Sequence, residues 1–143
     1  MIAYVLDTDH ASILRRHESP EYARLKVNLE TLQPEDVGVS VASFHEQSMG
    51  CNKLINSAKS SDKLIRGYEL LFNVIDDYRK FPLLPFDAAA LAIFDKLKAA
   101  KTRISTPDLR IAAIALAHDL TLVTRNKSDF EKVPNLRIED WTR

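Results

Sequence analysis

Three short apolar runs, residues 3–6, 37–41 and 120–124, stand between polar or turn residues without strict alternation. A strand covered on both faces reads this way, so the runs predict the middle of a parallel sheet. Residues 83–86, beside Pro82 and Pro85, and residues 136–138 are two weaker strand candidates. Helical spacing fills the gaps. Tyr22, Leu25, Leu29 and Leu32 form one stripe at intervals of three and four. A second stripe is Leu64, Tyr68, Leu71 and Ile75, widened by Ile65 and Phe72, and a third is Leu91, Phe94 and Leu97. Each predicts an amphipathic helix that buries those residues. Residues 109–117 are alanine-rich and apolar nearly all round, which predicts a helix packed deep against the sheet.

No proline interrupts residues 42–79, and the polar patch 57–63 divides them. The pattern predicts a helical hairpin, its second helix capped by Ser61 or Asp62. Without repeats or low-complexity segments, the 143 residues are expected to form one domain, 1–143. Strands alternating with helices predict an α/β fold with right-handed crossovers.

Composition narrows the function. No apolar run approaches the roughly 20 residues that cross a bilayer, and Asp7 interrupts the N-terminal run too early for a signal peptide. A soluble, cytoplasmic protein without membrane contact is expected. One cysteine, Cys51, excludes an internal disulfide and a cysteine-based zinc site. His10, His17, His45 and His118 lack metal-ligand spacing and are expected at the surface or behind the site. Twenty basic residues balance twenty acidic ones, which argues mildly against a nucleic-acid partner unless acids are gathered in one pocket.

The acids are so gathered if the strands are parallel, because sites in open α/β sheets form beyond the carboxyl ends of the strands. Asp7 follows the first run directly, and Glu46 lies about one turn into the helix expected from Ala42. Asp87 follows Leu-Pro-Phe and is expected to support the strand end. Asn126 follows Val-Thr-Arg, with Asp129 three residues on. Ser-Thr-Pro-Asp at 105–108 reads as a helix start with Thr106 as cap and Pro107 first in the helix, which brings Asp108 in on a helix N-terminus. Three carboxylates about 5 Å apart repel by roughly 3 kcal/mol per pair at an effective dielectric of about 20. A cation or protons must relieve them. An all-oxygen set points to Mg²⁺ or Mn²⁺, and such ions point to phosphodiester hydrolysis.

Six segments now match one family. They are Leu-Asp-Thr-Asp at 6–9, Val-Ser-Val-Ala-Ser-Phe-His-Glu at 39–46 and Pro-Asp-Leu-Arg-Ile-Ala-Ala at 107–113. Leu-Val-Thr-Arg-Asn at 122–126, Asp129-Phe130 and Arg-Ile-Glu-Asp-Trp at 137–141 complete them. In this order, across nearly the whole chain, they resemble the PIN-domain ribonucleases, specifically the VapC toxins of toxin–antitoxin pairs. The resemblance implies a three-layer α/β/α fold around a mainly parallel sheet, with a helical hairpin. It implies that Asp7, Glu46 and Asp108 are the catalytic, metal-binding acids of an Mg²⁺- or Mn²⁺-dependent endoribonuclease. Many relatives carry a fourth acid where Asn126 stands, so Asn126 and Asp129 are both kept as site residues. Asp9, commonly Asn in relatives, is expected to cap the helix starting near His10 rather than add a ligand.

Thr8 could hold a phosphate or only satisfy its turn. Arg125 and Lys127, and the basic stretch Lys96, Lys98, Lys101 and Arg103, are RNA-backbone candidates or solvated charges. Trp141 is expected to be a packing anchor. The resemblance further implies a small antitoxin that wraps the toxin and blocks the acids, and a homodimer; Met49, Leu54 and Ile55 of the hairpin would line a groove or the core. Two other functions fit fewer residues. Asp7-Thr8-Asp9 after a strand suits a haloacid-dehalogenase-like phosphatase, with Asp7 as nucleophile, but leaves Glu46 without a role. A non-catalytic PIN-like binding module is the other.

Overall fold

The computed structural model describes residues 1–13 and 19–143; His17 lies outside them. Five strands form one sheet in the order β3-β2-β1-β4-β5, every neighbouring pair parallel: β1 (Tyr4–Leu6), β2 (Val37–Ser40), β3 (Leu83–Leu84), β4 (Thr121–Val123) and β5 (Ile138–Glu139). All five expected strands are present, each within two residues of the expected place. The chain builds outward from β1 to β2 and β3, then returns to lay β4 on the other side of β1. That reversal is the switch point of an open α/β sheet, where a crevice opens at the carboxyl ends of the strands.

Side chains alternate across the sheet. Val5 and Leu122 enter one apolar core with α5 (Ala88–Ala99) and α6 (Thr106–Ala117). Leu6, Val37, Val39 and Val123 enter the other, with α1 (Thr8–Ile13), α2 (Pro20–Glu30), α3 (Val41–Asn56) and α4 (Ser61–Tyr78). The result is three layers, α/β/α. Gly38 sits at a close approach. A Cβ there would meet the Pro82 carbonyl and Leu84 Cδ1 at 3.2 Å each, and that same carbonyl accepts the Val39 N–H at 2.9 Å.

The helix starts carry the expected chemistry one residue earlier than expected. Ser60, not Ser61 or Asp62, caps α4 by accepting the Lys63 N–H. Ser105, not Thr106, caps α6, which places Thr106 first and Pro107 second in the helix. In both places two hydroxyl residues are adjacent, and the one three residues before a free N–H takes the cap. Asp9 is no cap, because α1 starts at Thr8 and holds Asp9 in its first turn. Asp87 caps α5 through the Ala90 N–H.

The α3–α4 hairpin forms as expected, but α4 turns a different face inward. Leu64, Tyr68 and Ile75 of the expected stripe are exposed, as are Ile65 and Phe72, the last at 69%. Gly67, Val74 and Tyr78 are buried instead, with Leu71 partly so. A helix apolar on most sides does not declare its inner face, and Gly67 decides it. A Cβ at 67 would stand 2.8 Å from Ile55 Cγ1, so α3 approaches where no side chain intervenes. In α5, Phe94 and Leu97 of the expected stripe are buried, while Leu91 is exposed and Ala90 is buried in its place.

Candidate active site

Asp7 leaves β1 at the switch point, its N–H donating to the Val123 carbonyl at 2.9 Å. Its carboxylate is buried. Oδ1 accepts the Thr8 N–H and Oδ2 accepts the Thr124 hydroxyl, each at 2.7 Å. Thr124 Oγ1 accepts the Asn126 N–H at 3.0 Å, so one buried hydroxyl ties Asp7 to the loop after β4. Burial pushes the Asp7 carboxyl up to about 6; the two hydrogen bonds pull it down, and the charges of Asp108 and Asp9 push it further up.

Thr124 escaped the reading of the sequence as a site residue. The register supplies the signal: Leu6 pairs with Val123, so the residues that follow, Asp7 and Thr124, stand side by side at the rim.

Glu46 lies in the second turn of α3, exposed, and accepts the Thr8 hydroxyl at 3.4 Å. Desolvation raises its pKa, and the charges of Asp108 and Asp9 raise it more. Asp108 lies in the first turn of α6, its N–H on Ser105 Oγ at 3.3 Å. Burial raises its pKa too, the Ser105 hydroxyl lowers it, and the charges of Asp129 and Asp9 raise it. Asp7, Glu46 and Asp108 therefore share one field, reached from β1, α3 and α6. Asp9, exposed on α1, acts on all three and belongs with them electrostatically. Among the described residues, no three His, Cys, Asp or Glu side chains close to the spacing that holds an ion.

Asn126 and Asp129 form a unit. The Asn126 amide donates to Asp129 Oδ2 at 3.0 Å, and the Lys132 ammonium stands 3.4 Å from Oδ1. The Asn126 bond, with help from Lys132, lowers the Asp129 pKa, so Asp129 is a stable anion at the edge of the field. Asn126 brings no charge itself but orients the acid that does.

His10 is not at the surface. It is fully buried, its Nε2 accepting the Trp141 N–H at 3.3 Å and lying 3.7 Å from Asp140 Oδ1. Burial pushes its pKa down to about 4, against the opposing pull of Asp140. Trp141 is a packing anchor, 5% exposed with its ring 5.0 Å from that of Tyr4. Arg125, Lys127, Lys96, Lys98, Lys101 and Arg103 are exposed. His45 is exposed and His118 half-buried.

The PIN domain family model matches residues 4–136. The chain is 36% identical to the tRNA(fMet)-specific endonuclease VapC of Shigella flexneri, covering 99% of this chain and all of that one. It is 28% identical to the tRNA(fMet)-specific endonuclease VapC of Salmonella typhimurium, covering 99% of each. Among solved structures, the DNA-bound VapBC complex of Salmonella typhimurium contains a chain that superposes with a TM-score of 0.73 at 26% identity, covering 99% of both.

Proposed function

The chain belongs to the PIN-domain family, and from that premise we propose that it is an endoribonuclease, the toxin of a toxin–antitoxin pair, acting in the cytoplasm through one domain of residues 1–143. The observation that carries the reading is the field shared by Asp7, Glu46 and Asp108 at the switch point, each raising or raised by another. Such a set suits a divalent cation by its donor chemistry. The oxygens are all carboxylate, no lysine or arginine among the described residues forms an ion pair with the three, and positive charge would relieve every pair. Asp7, Glu46 and Asp108 would hold Mg²⁺ or Mn²⁺. When bound, the ion supplies Lewis acidity that activates water and shields charge on the phosphate.

The residues around it do the rest. Thr124 and the Thr8 N–H fix both Asp7 oxygens, so the carboxylate enters the site in one orientation. The Thr8 hydroxyl steadies Glu46. Asn126 and Lys132 hold Asp129 as an anion where it can attract the cation without binding it.

RNA is the substrate class, and transfer RNA is the first to try, because two relatives are named for tRNA(fMet). The antitoxin is expected on the hairpin. A cavity of about 360 Å³ between α3 and α4 is lined by Gln47, Gly50, Cys51, Leu54, Leu70 and Val74 among others, beside Ser12 of α1. Leu54 and Leu70, both partly open to solvent, give it an apolar surface that suits a helix or strap from a small partner. A homodimer is the expected assembly. A phosphatase reading of Asp7-Thr8-Asp9 has no support from the family match and leaves Glu46 idle, and the named relatives are endonucleases rather than binding modules.

The test is direct. The purified chain, incubated with transfer RNA and MgCl₂ or MnCl₂, is expected to cut it, EDTA to stop it, and Asp7→Asn to abolish it. Equal cleavage by wild type and Asp7→Asn would sink the reading.

A further inference from the structure

We propose that a cleft between α3 and α6 receives one unpaired base of the RNA, next to the phosphate that is cut; this rests on the nuclease reading above. The cleft has a volume of about 260 Å³, and Ala42, His45, Glu46 and Met49 of α3 and Pro107 and Arg110 of α6 line it. Glu46 is one of the acids of the site, and Pro107 precedes Asp108, another of them. Whatever occupies the cleft therefore lies against the reacting centre.

The lining selects the occupant. Ala42, Met49 and Pro107 give apolar walls suited to the faces of a flat ring, and thioether sulfur contacts aromatic rings favourably. His45 offers ring nitrogens for the edge of such a ring, which a purely apolar occupant would leave unused. A phosphate in the cleft would meet the Glu46 carboxylate, so the anionic part of the nucleotide must lie outside it. Positive charge stands ready there. Arg110 lies 5.9 Å and Lys98 5.5 Å from the centre of the same Phe94 ring, which carries cations from the cleft wall to the basic end of α5. A neutral heterocycle inside with cations outside is the pattern of single-stranded nucleic-acid recognition.

The experiment uses RNA hairpins with a fully randomised loop, cut by the full chain with MnCl₂, the products then being sequenced. Wild type is expected to show base preference at one position beside the cut. An abasic nucleotide at that position is expected to slow cleavage about tenfold. Ala42→Leu, which fills the cleft, and Met49→Ala, which removes a wall, are expected to cut the same loops with that preference flattened and with no further loss on the abasic RNA. Circular dichroism melting confirms that both variants fold. Cleavage by wild type without preference beside the cut, or preference unchanged in both variants, overturns the subsite alone. No cleavage of any loop by wild type overturns the nuclease reading and the subsite with it.

Discussion

Burial holds the Asp7 carboxyl near 6 where the unfolded chain ionises it near 3.8, so at pH 7 its charge costs the fold about 3 kcal/mol. The folded state binds the proton more tightly, and stability from this group falls as pH rises from about 4 to 6. His10 acts in the opposite sense. Its ordinary value of 6.5 is pushed to about 4, the unfolded chain takes the proton first, and stability is lost as pH falls through that window. The two nearly offset each other. In metal-free buffer the wild-type stability measured by urea unfolding is expected to vary little between pH 4.5 and 6.5, values chosen as roughly the span of both shifts. Asp7→Asn should gain up to about 3 kcal/mol at pH 7 and then lose stability steeply in acid, while His10→Gln should become more stable as pH falls. The activity loss of Asp7→Asn should exceed about 100-fold in RNA cleavage, the size expected when a charge aimed at the reacting centre is removed. Thr124→Val leaves Asp7 Oδ2 and the Asn126 N–H without their partner. It is expected to cost about 1–3 kcal/mol and to slow cleavage about 10–100-fold. Asp7, Glu46 and Asp108 were legible as candidates from strand ends, a helix start and family resemblance. Thr124 and the buried state of His10 were not, because a threonine or histidine states nothing about its burial until the neighbouring strand and tail are in place.

At the scale of elements, the α3–α4 hairpin depends on a glycine. Gly67→Val places two methyl groups where Ile55 already stands and is expected to destabilise the chain by about 1–3 kcal/mol in urea unfolding. The apolar residues left outside by that packing bear on the partner. Leu54, which lines the cavity between the helices and is half exposed, should contribute to antitoxin binding; Leu54→Asp is expected to weaken the complex at least about tenfold by calorimetry while leaving RNA cleavage by the free chain intact. The positions of α2 to α6 were legible from apolar spacing, but the caps of α4 and α6 were read one residue late. The inner face of α4 was not. Apolar residues occupy several of its sides, and the choice among them fell to the close approach allowed at Gly67 rather than to the widest stripe.

For the whole molecule, the proposed ion would relieve the acidic field that Asp7, Glu46 and Asp108 share. Saturating MgCl₂ or MnCl₂ is expected to raise stability by about 2–3 kcal/mol, with EDTA reversing it and Asp108→Asn abolishing it, as read by the melting temperature. Gathering acids at one rim leaves the basic residues elsewhere, with Lys96, Lys98, Lys101 and Arg103 along one edge, so RNA affinity should fall as salt rises despite the neutral total. No helix among the described residues is long and apolar enough to cross a membrane.

The trio of Asp7, Glu46 and Asp108 was present in the sequence as three acids in the right kinds of place. Strand-end placement, a local signal, pointed to Asp7 and less directly to Glu46, whereas Asp108 on its helix start leaned on the family resemblance. The tertiary structure decided what those acids experience. Parallel pairing of β1 with β4 set Thr124 beside Asp7, burial raised its pKa, and α6 brought Asp108 into the same field. The face of α4 and the cleft beside Glu46 were likewise decided only there, because both arise from close approach between elements distant in sequence, and such contacts leave no periodic trace along the chain.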